Sequence, residues 1–310
     1  MSRYAILFPG QGSQRVGMGA DLFGAYADLL GEPADRIIGW SLERLIIDGP
    51  QEDLTRTEHA QPALYAISSA LWRALDEALP SRPAAAAGHS LGEYTALAAS
   101  GAVAYGDGLA LVAERGRAMA AAAAAGEPSG MAALIGADLD VASSVAADRR
   151  RDGGELWVAN INAPSQIVLA GAEADIAWLC ENARSLGIRR AVPLAVAGAF
   201  HSPFMEPAAE RLEAALDVTG FSPPDFPVYA NTTALPTEDP ARQLAEQLVQ
   251  PVRFAPTLER MAADGITTFV HVGPGDVTAG LVKRTLPDAT VHVVADLDDI
   301  AAVANDPSVQ

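Results

Sequence analysis

The chain has 310 residues, half of them hydrophobic, and a formal charge of −18. That length supports one large core or a large unit with a smaller one inserted, and so acidic a balance argues against nucleic acid as the main partner. Cys180 is the only cysteine, which excludes an intrachain disulfide and a cysteine-built zinc cluster.

Tyr4 is followed by a short apolar run, Ala5 to Phe8, that Pro9-Gly10 ends; it reads as a buried strand leading into a flexible loop, Gly10 to Gln14. Leu64, Ile67, Leu71 and Leu75 recur at helical spacing and predict a helix over 61–79, with His59 in a charged loop before it. Pro83 to Ala87 is assigned as a strand although alanine is a poor strand former, because the sharp turn Gly88-His89-Ser90-Leu91-Gly92 and a helix-compatible segment follow it. Leu109 to Ala125 predicts a further helix, carrying Arg115 and Arg117.

From Gly126 to Ala197 the rhythm changes to strand (131–135), helix (138–151), two strands (156–161 and 166–170), helix (174–186) and strand (189–196). The order βαββαβ is the ferredoxin-like arrangement. The expected architecture is therefore α/β: a large α/β-hydrolase-like domain, discontinuous over 1–126 and 198–310, with a small ferredoxin-like domain inserted at 127–197. Strands at 228–230, 267–272 and 290–294 and helices at 241–248, 254–263 and up to Arg284 complete the large domain, and the tail after Leu297 is expected to be peripheral. Cys180 falls in an apolar helix and reads as a buried structural thiol. The N-terminal apolar run is too short for a signal peptide and no stretch is long enough to span a bilayer, so the reading is cytoplasmic.

Gly88 to Gly92 matches G-x-S-x-G. A serine on a sharp strand-to-helix turn has its hydroxyl thrust out of the backbone, with helix N-terminal N–H groups close by for a developing oxyanion. Ser90 then needs a base. His89 points away across the turn and reads as its support; His271 and His292 fall in predicted strands; His59 is in a loop. His201, in Gly198-Ala199-Phe200-His201-Ser202-Pro203, lies between the two predicted domains, where sites are commonly built. On the residues alone a lone loop histidine is more often a surface residue than a base. Arg115 is a charge in an alanine-rich helix: either a helix-surface arginine or a guanidinium for a substrate carboxylate.

Seven segments, Phe8 to Gln14, Gly88 to Tyr94, Arg115-Gly116, Asn160 to Asn162, His201-Ser202, Gln247-Leu248 and Val272 to Gly275, occur in the order found in malonyl-CoA:acyl carrier protein transacylases, and the chain resembles that family over nearly its whole length. It is also similar to the free-standing acyltransferases that serve polyketide synthases. The resemblance implies Ser90 as nucleophile, His201 as base, the N–H groups of Gln11 and Leu91 as oxyanion hole and Arg115 as carboxylate clamp. It further implies that the Gln247 carbonyl orients His201 and that Asn160 and Asn162 shape the cleft; Gln250 is a second glutamine close by. Phe200 before the histidine goes with malonyl rather than a branched acyl group, a preference small pocket changes enforce only weakly. Malonyl-CoA and an acyl carrier protein are the implied partners; no metal or resident cofactor is implied, and a monomer is favoured. Docking an acidic carrier calls for a local basic patch, with candidates at Arg149 to Arg151, Arg189-Arg190 and Lys283-Arg284. An α/β-hydrolase esterase is the main rival, but the glycine-rich HGGG run it would use is missing. A proofreading hydrolase of acyl carriers and a non-catalytic scaffold are the others; the first would gain nothing from a carboxylate clamp.

Overall fold

Short apolar runs and alternating runs form two separate sheets. In the computed structural model, which describes residues 3–310, the strands are β1 (Tyr4–Phe8), β2 (Ala85–Gly88), β3 (Ser129–Ile135), β4 (Leu156–Ala163), β5 (Gln166–Ala172), β6 (Arg190–Pro193), β7 (Val228–Tyr229), β8 (Thr268–Val272) and β9 (Thr290–Val294). One sheet is parallel, in the order β7-β2-β1-β8-β9; the other is antiparallel, in the order β4-β5-β3-β6. The fold is therefore mixed α/β.

Parallel strands are joined by crossovers and are covered on both faces, and every residue of β1, β2 and β8 is buried accordingly. This explains the alanine strand. Ala86 faces one hydrophobic cluster, with Tyr4, Ile6 and Phe8, while Ala85 and Ala87 face another, with Leu7 and Phe269. Tight cover on both sides outweighs alanine's weak intrinsic preference. The strand also runs one residue further than predicted, to Gly88. A β-carbon there would lie 1.8 Å from the Gly92 carbonyl carbon, so only glycine allows the chain to turn directly into the helix Gly92–Ala99.

In the antiparallel sheet the period-2 alternation sorts the side chains. Ala132, Leu134, Leu156 and Leu169 face the helices Leu139–Arg151 and Glu173–Asn182 in a cluster of their own, while Met131, Ala159, Val168 and Ala170 join the main core. The polypeptide of β4 also touches the other region: Ile161 N–H donates to the Val252 carbonyl (2.8 Å) and Val252 N–H to the Ala159 carbonyl (2.9 Å).

Some expectations are corrected. The 61–79 helix begins earlier, as Thr57–Ala78, so His59 is in its first turn rather than in a loop; its ring lies edge-on to Trp40 and Nδ1 is 2.9 Å from the Asp53 carbonyl. Periodicity gave no warning because Pro62 lies inside that helix. The tail is docked, not peripheral: the helix Asp298–Ala304 forms, and Val303, Ala304 and Val309 are buried. Cys180 is only partly buried. No helix is long and apolar enough to cross a membrane among the described residues.

Candidate active site

Register decides what meets at the carboxyl ends of the parallel strands. Phe8 of β1 pairs with Gly88 of β2, so the loop Pro9-Gly10-Gln11 and the turn at Ser90 leave the sheet side by side. His89 N–H donates to the Phe8 carbonyl, 3.0 Å. β7 pairs with β2 through Tyr229 and Ala87, which carries Asn231 to the same end. Open α/β sheets gather their sites at such strand ends.

Ser90 has φ 51°, left-handed backbone for a residue with a β-carbon. Such strain costs about 1–3 kcal/mol and persists only where the surroundings hold it. His201 is likewise left-handed, at φ 59°. The two side chains meet: Ser90 Oγ is 2.8 Å from His201 Nε2. His201 Nδ1 lies 2.7 Å from the backbone carbonyl of Gln247, not Gln250. A carbonyl only accepts, so Nδ1 carries the proton and Nε2 is left to accept from Ser90 Oγ–H. Burial pushes the His201 pKa down to about 3, and the Arg115 guanidinium pushes the same way. The imidazole is thus neutral at ordinary pH.

Arg115, from the helix Tyr105–Ala125, is 1% exposed. It donates from Nη1 to Gln61 Oε1 (2.7 Å) and from Nη2 to Ser90 Oγ (3.0 Å) and Gln247 Oε1 (2.9 Å). Its guanidinium carbon sits 5.5 Å from the centre of the Tyr94 ring. Among the described residues no carboxylate forms an ion pair with it, and its Nε has no hydrogen-bond partner. A buried guanidinium held by neutral amide oxygens keeps its charge available to an anion.

A cavity of about 380 Å³ opens over Ser90. Gln11, Leu91, Arg115, Phe200 and His201 line it from the parallel-sheet side, Asn160, Asn162, Met131 and Val168 from the antiparallel side. The backbone N–H groups of Gln11 and Leu91 have no acceptor among the described residues, whereas Ser90 N–H is taken by Asn231 Oδ1 (2.7 Å). The Gln11 side chain is turned to Thr57 Oγ1, 3.3 Å. Bulges in β4 skip Ala159 and Asn162 in the pairing with β5. Such irregularities re-aim side chains, and Asn162 Oδ1 comes 2.7 Å from His89 Nε2. His89 therefore does more than support the turn: it lines the cavity, and burial lowers its pKa.

Sequence reasoning missed Gln61, Glu93 and Asn231. Gln61 and Glu93 carry a signal in retrospect, a polar or acidic residue on a helical face that is otherwise apolar; Asn231, in the loop after β7, carries none. Of the three basic runs, Arg149 pairs with Asp175 (2.5 Å), Arg151 with Asp148, and Arg150 donates to the Leu156 carbonyl. The other two converge: Arg190 pairs with Ile135 and Ile135 with Gln166 across the antiparallel sheet, and Gln166, at the cavity wall, accepts from Arg284 Nη1 (2.8 Å).

With this geometry in view, comparison with known proteins is informative. Residues 6–304 match the acyl transferase domain family. The chain is 41% identical over 305 residues to the malonyl CoA-acyl carrier protein transacylase of Bacillus subtilis strain 168, covering 97% of this chain and 96% of that one. An acyl carrier protein S-malonyltransferase structure from Vibrio cholerae superposes with TM-score 0.92 at 37% identity, covering 97% of this chain and 100% of the other. A malonyl-transacylase solved with a type II polyketide synthase acyl-carrier protein gives TM-score 0.92 at 34% identity, over 98% and 99%. This chain belongs to the acyl transferase domain family.

Proposed function

We propose that the chain moves a malonyl group from malonyl-CoA to the phosphopantetheine thiol of an acyl carrier protein through an ester on Ser90. The observation that carries the reading is Arg115: a buried guanidinium with no carboxylate partner, 3.0 Å from Ser90 Oγ. A carboxylate two bonds from the attacked carbonyl carbon suits it, and a plain acyl group would leave the guanidinium without a direct anionic partner.

The steps follow from the residues present. His201 Nε2 takes the Ser90 hydroxyl proton as Oγ bonds to the thioester carbonyl carbon. The carbonyl oxygen becomes an oxyanion, met by the free N–H groups of Gln11 and Leu91. The C–S bond breaks, the sulfur leaves with the proton from His201, and malonyl-Ser90 is left behind. The carrier thiol then gives its proton to Nε2, its sulfur attacks the ester, and Oγ leaves with that proton. Phe200, buried against the cavity, fills the space a branch at the second acyl carbon would need, favouring malonyl. Asn160 and Asn162 shape the opposite wall. The converging Arg189-Arg190 and Lys283-Arg284 runs supply positive charge where an acidic carrier would approach.

Two units account for this arrangement: a large α/β-hydrolase-like domain, 1–126 with 198–310, and an inserted domain, 127–197, whose βαββαβ order and strand order β4-β5-β3-β6 support a ferredoxin-like description. The test is intact-mass spectrometry after mixing the protein with malonyl-, methylmalonyl- and acetyl-CoA. A malonyl adduct is expected, absent in Ser90→Ala. An acetyl adduct in place of malonyl, or a malonyl adduct that survives in Ser90→Ala, overturns the reading.

A further inference from the structure

Glu93 and Asn231 do not themselves line the cavity, yet both are buried polar groups, 2% and 0% exposed. Asn231 spans the turn at Ser90 from behind. Its Oδ1 accepts from Ser90 N–H (2.7 Å) and its Nδ2 donates to the Gly88 carbonyl (2.7 Å). These partners fix the amide's orientation, since the first can only donate and the second only accept. Asn231 is thus bonded to both ends of the strained turn.

Glu93 takes up the chain. Its Oε2 accepts from Asn231 backbone N–H (3.0 Å) and from Gln247 Nε2 (2.7 Å). The Gln247 amide is oriented by the same logic. Arg115 can only donate, so the atom facing it is Oε1, and the two Nε2 hydrogens go to Glu93 and to the Ser90 carbonyl (3.0 Å). The backbone of that same Gln247 holds His201 through Nδ1. One hydrogen-bonded ring therefore joins the nucleophile's turn, the support of the base and the guanidinium. A buried hydrogen-bonded network of this kind rigidifies its members, and removing one leaves the others unpaired.

We propose that Asn231 and Glu93 are positioning residues for acyl transfer: they hold Ser90, the carbonyl behind His201 and Arg115 in a common register. The proposal rests on Ser90 being the acylated residue. Misplacing a reacting group by about 1 Å costs on the order of 100-fold, so the loss belongs in the maximal rate and not in substrate affinity.

The experiment is single-turnover acylation of Ser90 by malonyl-CoA, followed by mass, for Asn231→Ala, Glu93→Ala and Glu93→Gln, with Arg115→Ala alongside. Each variant is also treated with phenylmethanesulfonyl fluoride, a serine reagent without a carboxylate. Asn231→Ala is expected to lower the maximal malonylation rate about 100-fold, with half-saturation unchanged and an equal loss in sulfonylation. Arg115→Ala, which also removes the partner of the malonyl carboxylate, should lose more in malonylation than in sulfonylation. Glu93→Ala should lose about tenfold, and Glu93→Gln, whose amide oxygen accepts the same two N–H groups, should recover to within about threefold of the parent. If Asn231→Ala does not fold by circular dichroism, Asn231→Asp is read instead; it keeps the acceptor for Ser90 N–H, loses the donor to Gly88, and should fall to an intermediate rate. The proposal is overturned by parental rates in Asn231→Ala or Asn231→Asp, by a loss confined to half-saturation, by unchanged sulfonylation, or by Glu93→Gln being as slow as Glu93→Ala. A parent protein that forms no malonyl-Ser90 would instead refute the proposed function.

Discussion

The two walls of the cavity are built on different terms. On the parallel-sheet side Ser90, His201, Arg115 and Gln247 are joined by hydrogen bonds of 2.7–3.0 Å, and all but the serine are almost wholly buried. On the antiparallel side the lining includes Met131, Val168, Asn160 and Asn162, and among the described residues a single side-chain hydrogen bond, Asn162 to His89, crosses from it to the turn at Ser90. A buried polar network tolerates no missing member, because each orphaned group costs its desolvation. A wall tied to the serine turn so sparingly can change shape at modest cost. The difference assigns reactivity to the first wall and fit to the second.

The comparison is tested most severely at His201. His201→Ala should lower Ser90 malonylation by about 10³–10⁴-fold in a single-turnover assay, with the fold intact by circular dichroism. A loss below tenfold would mean the base lies elsewhere.

Arg115→Ala comes next, and it should cost the malonyl-over-acetyl preference about 100-fold, read by competition between the two acyl-CoAs. An unchanged preference would detach the guanidinium from the carboxylate. The same variant has a pH signature. In the proposed mechanism His201 serves as a base only when neutral, and its pKa is pushed down to about 3 by burial, with Arg115 contributing. The malonylation rate of the parent should therefore hold through pH 5–6.5, where an ordinary histidine would be half protonated or more. Removing Arg115 removes a repulsive charge, so the His201 pKa rises and the acid limb moves to higher pH. An acid limb near pH 6.5 in the parent, or one that moves down in the variant, would contradict this electrostatic picture.

Fit should respond more gently. Phe200→Ala is expected to raise methylmalonyl-over-malonyl acylation about tenfold, measured as the ratio of adduct masses; no change would show that the ring does not limit the acyl pocket. Asn162→Ala should alter half-saturation by malonyl-CoA by about threefold while leaving the maximal rate in place. A collapse of the maximal rate would show that the antiparallel wall is as stringent as the parallel one.

Much of the secondary structure was legible because it is written locally. The run Ala5 to Phe8, the helix 254–263 and the alternation through 131–172 have periods that a window of a few residues displays. The misses have local reasons too. Pro62 concealed the first turn of the Thr57–Ala78 helix, and the short polar residues after Leu297 concealed Val303 and Val309, which the core takes up. Ala85 to Ala87 could be assigned only from the turn that follows, since its cause is cover on both faces by distant segments.

The site divides along the same line. The G-x-S-x-G turn is local only in part: Gly88 is required by the backbone of Gly92 and Glu93 a few residues on, whereas Gly92 is required by the Phe8 carbonyl of the neighbouring strand, so the motif marks Ser90 as a presented hydroxyl and the sheet completes the turn. Which of five histidines faces it is not local. Composition and spacing favoured a surface role for His201; the meeting of two left-handed residues 111 positions apart is produced by the packing of the loop at 198–203 over the strand ends. Arg115 reads from the chain either as a helix-surface cation or as a guanidinium for a carboxylate; packing takes it off the surface, burying it beside the side-chain amides of Gln61 and Gln247 with no carboxylate in direct contact. Asn231 and Glu93 are invisible until β7 is laid beside β2, because a hydrogen bond between groups 138 or 141 residues apart exists only in the folded arrangement that brings them within 3 Å.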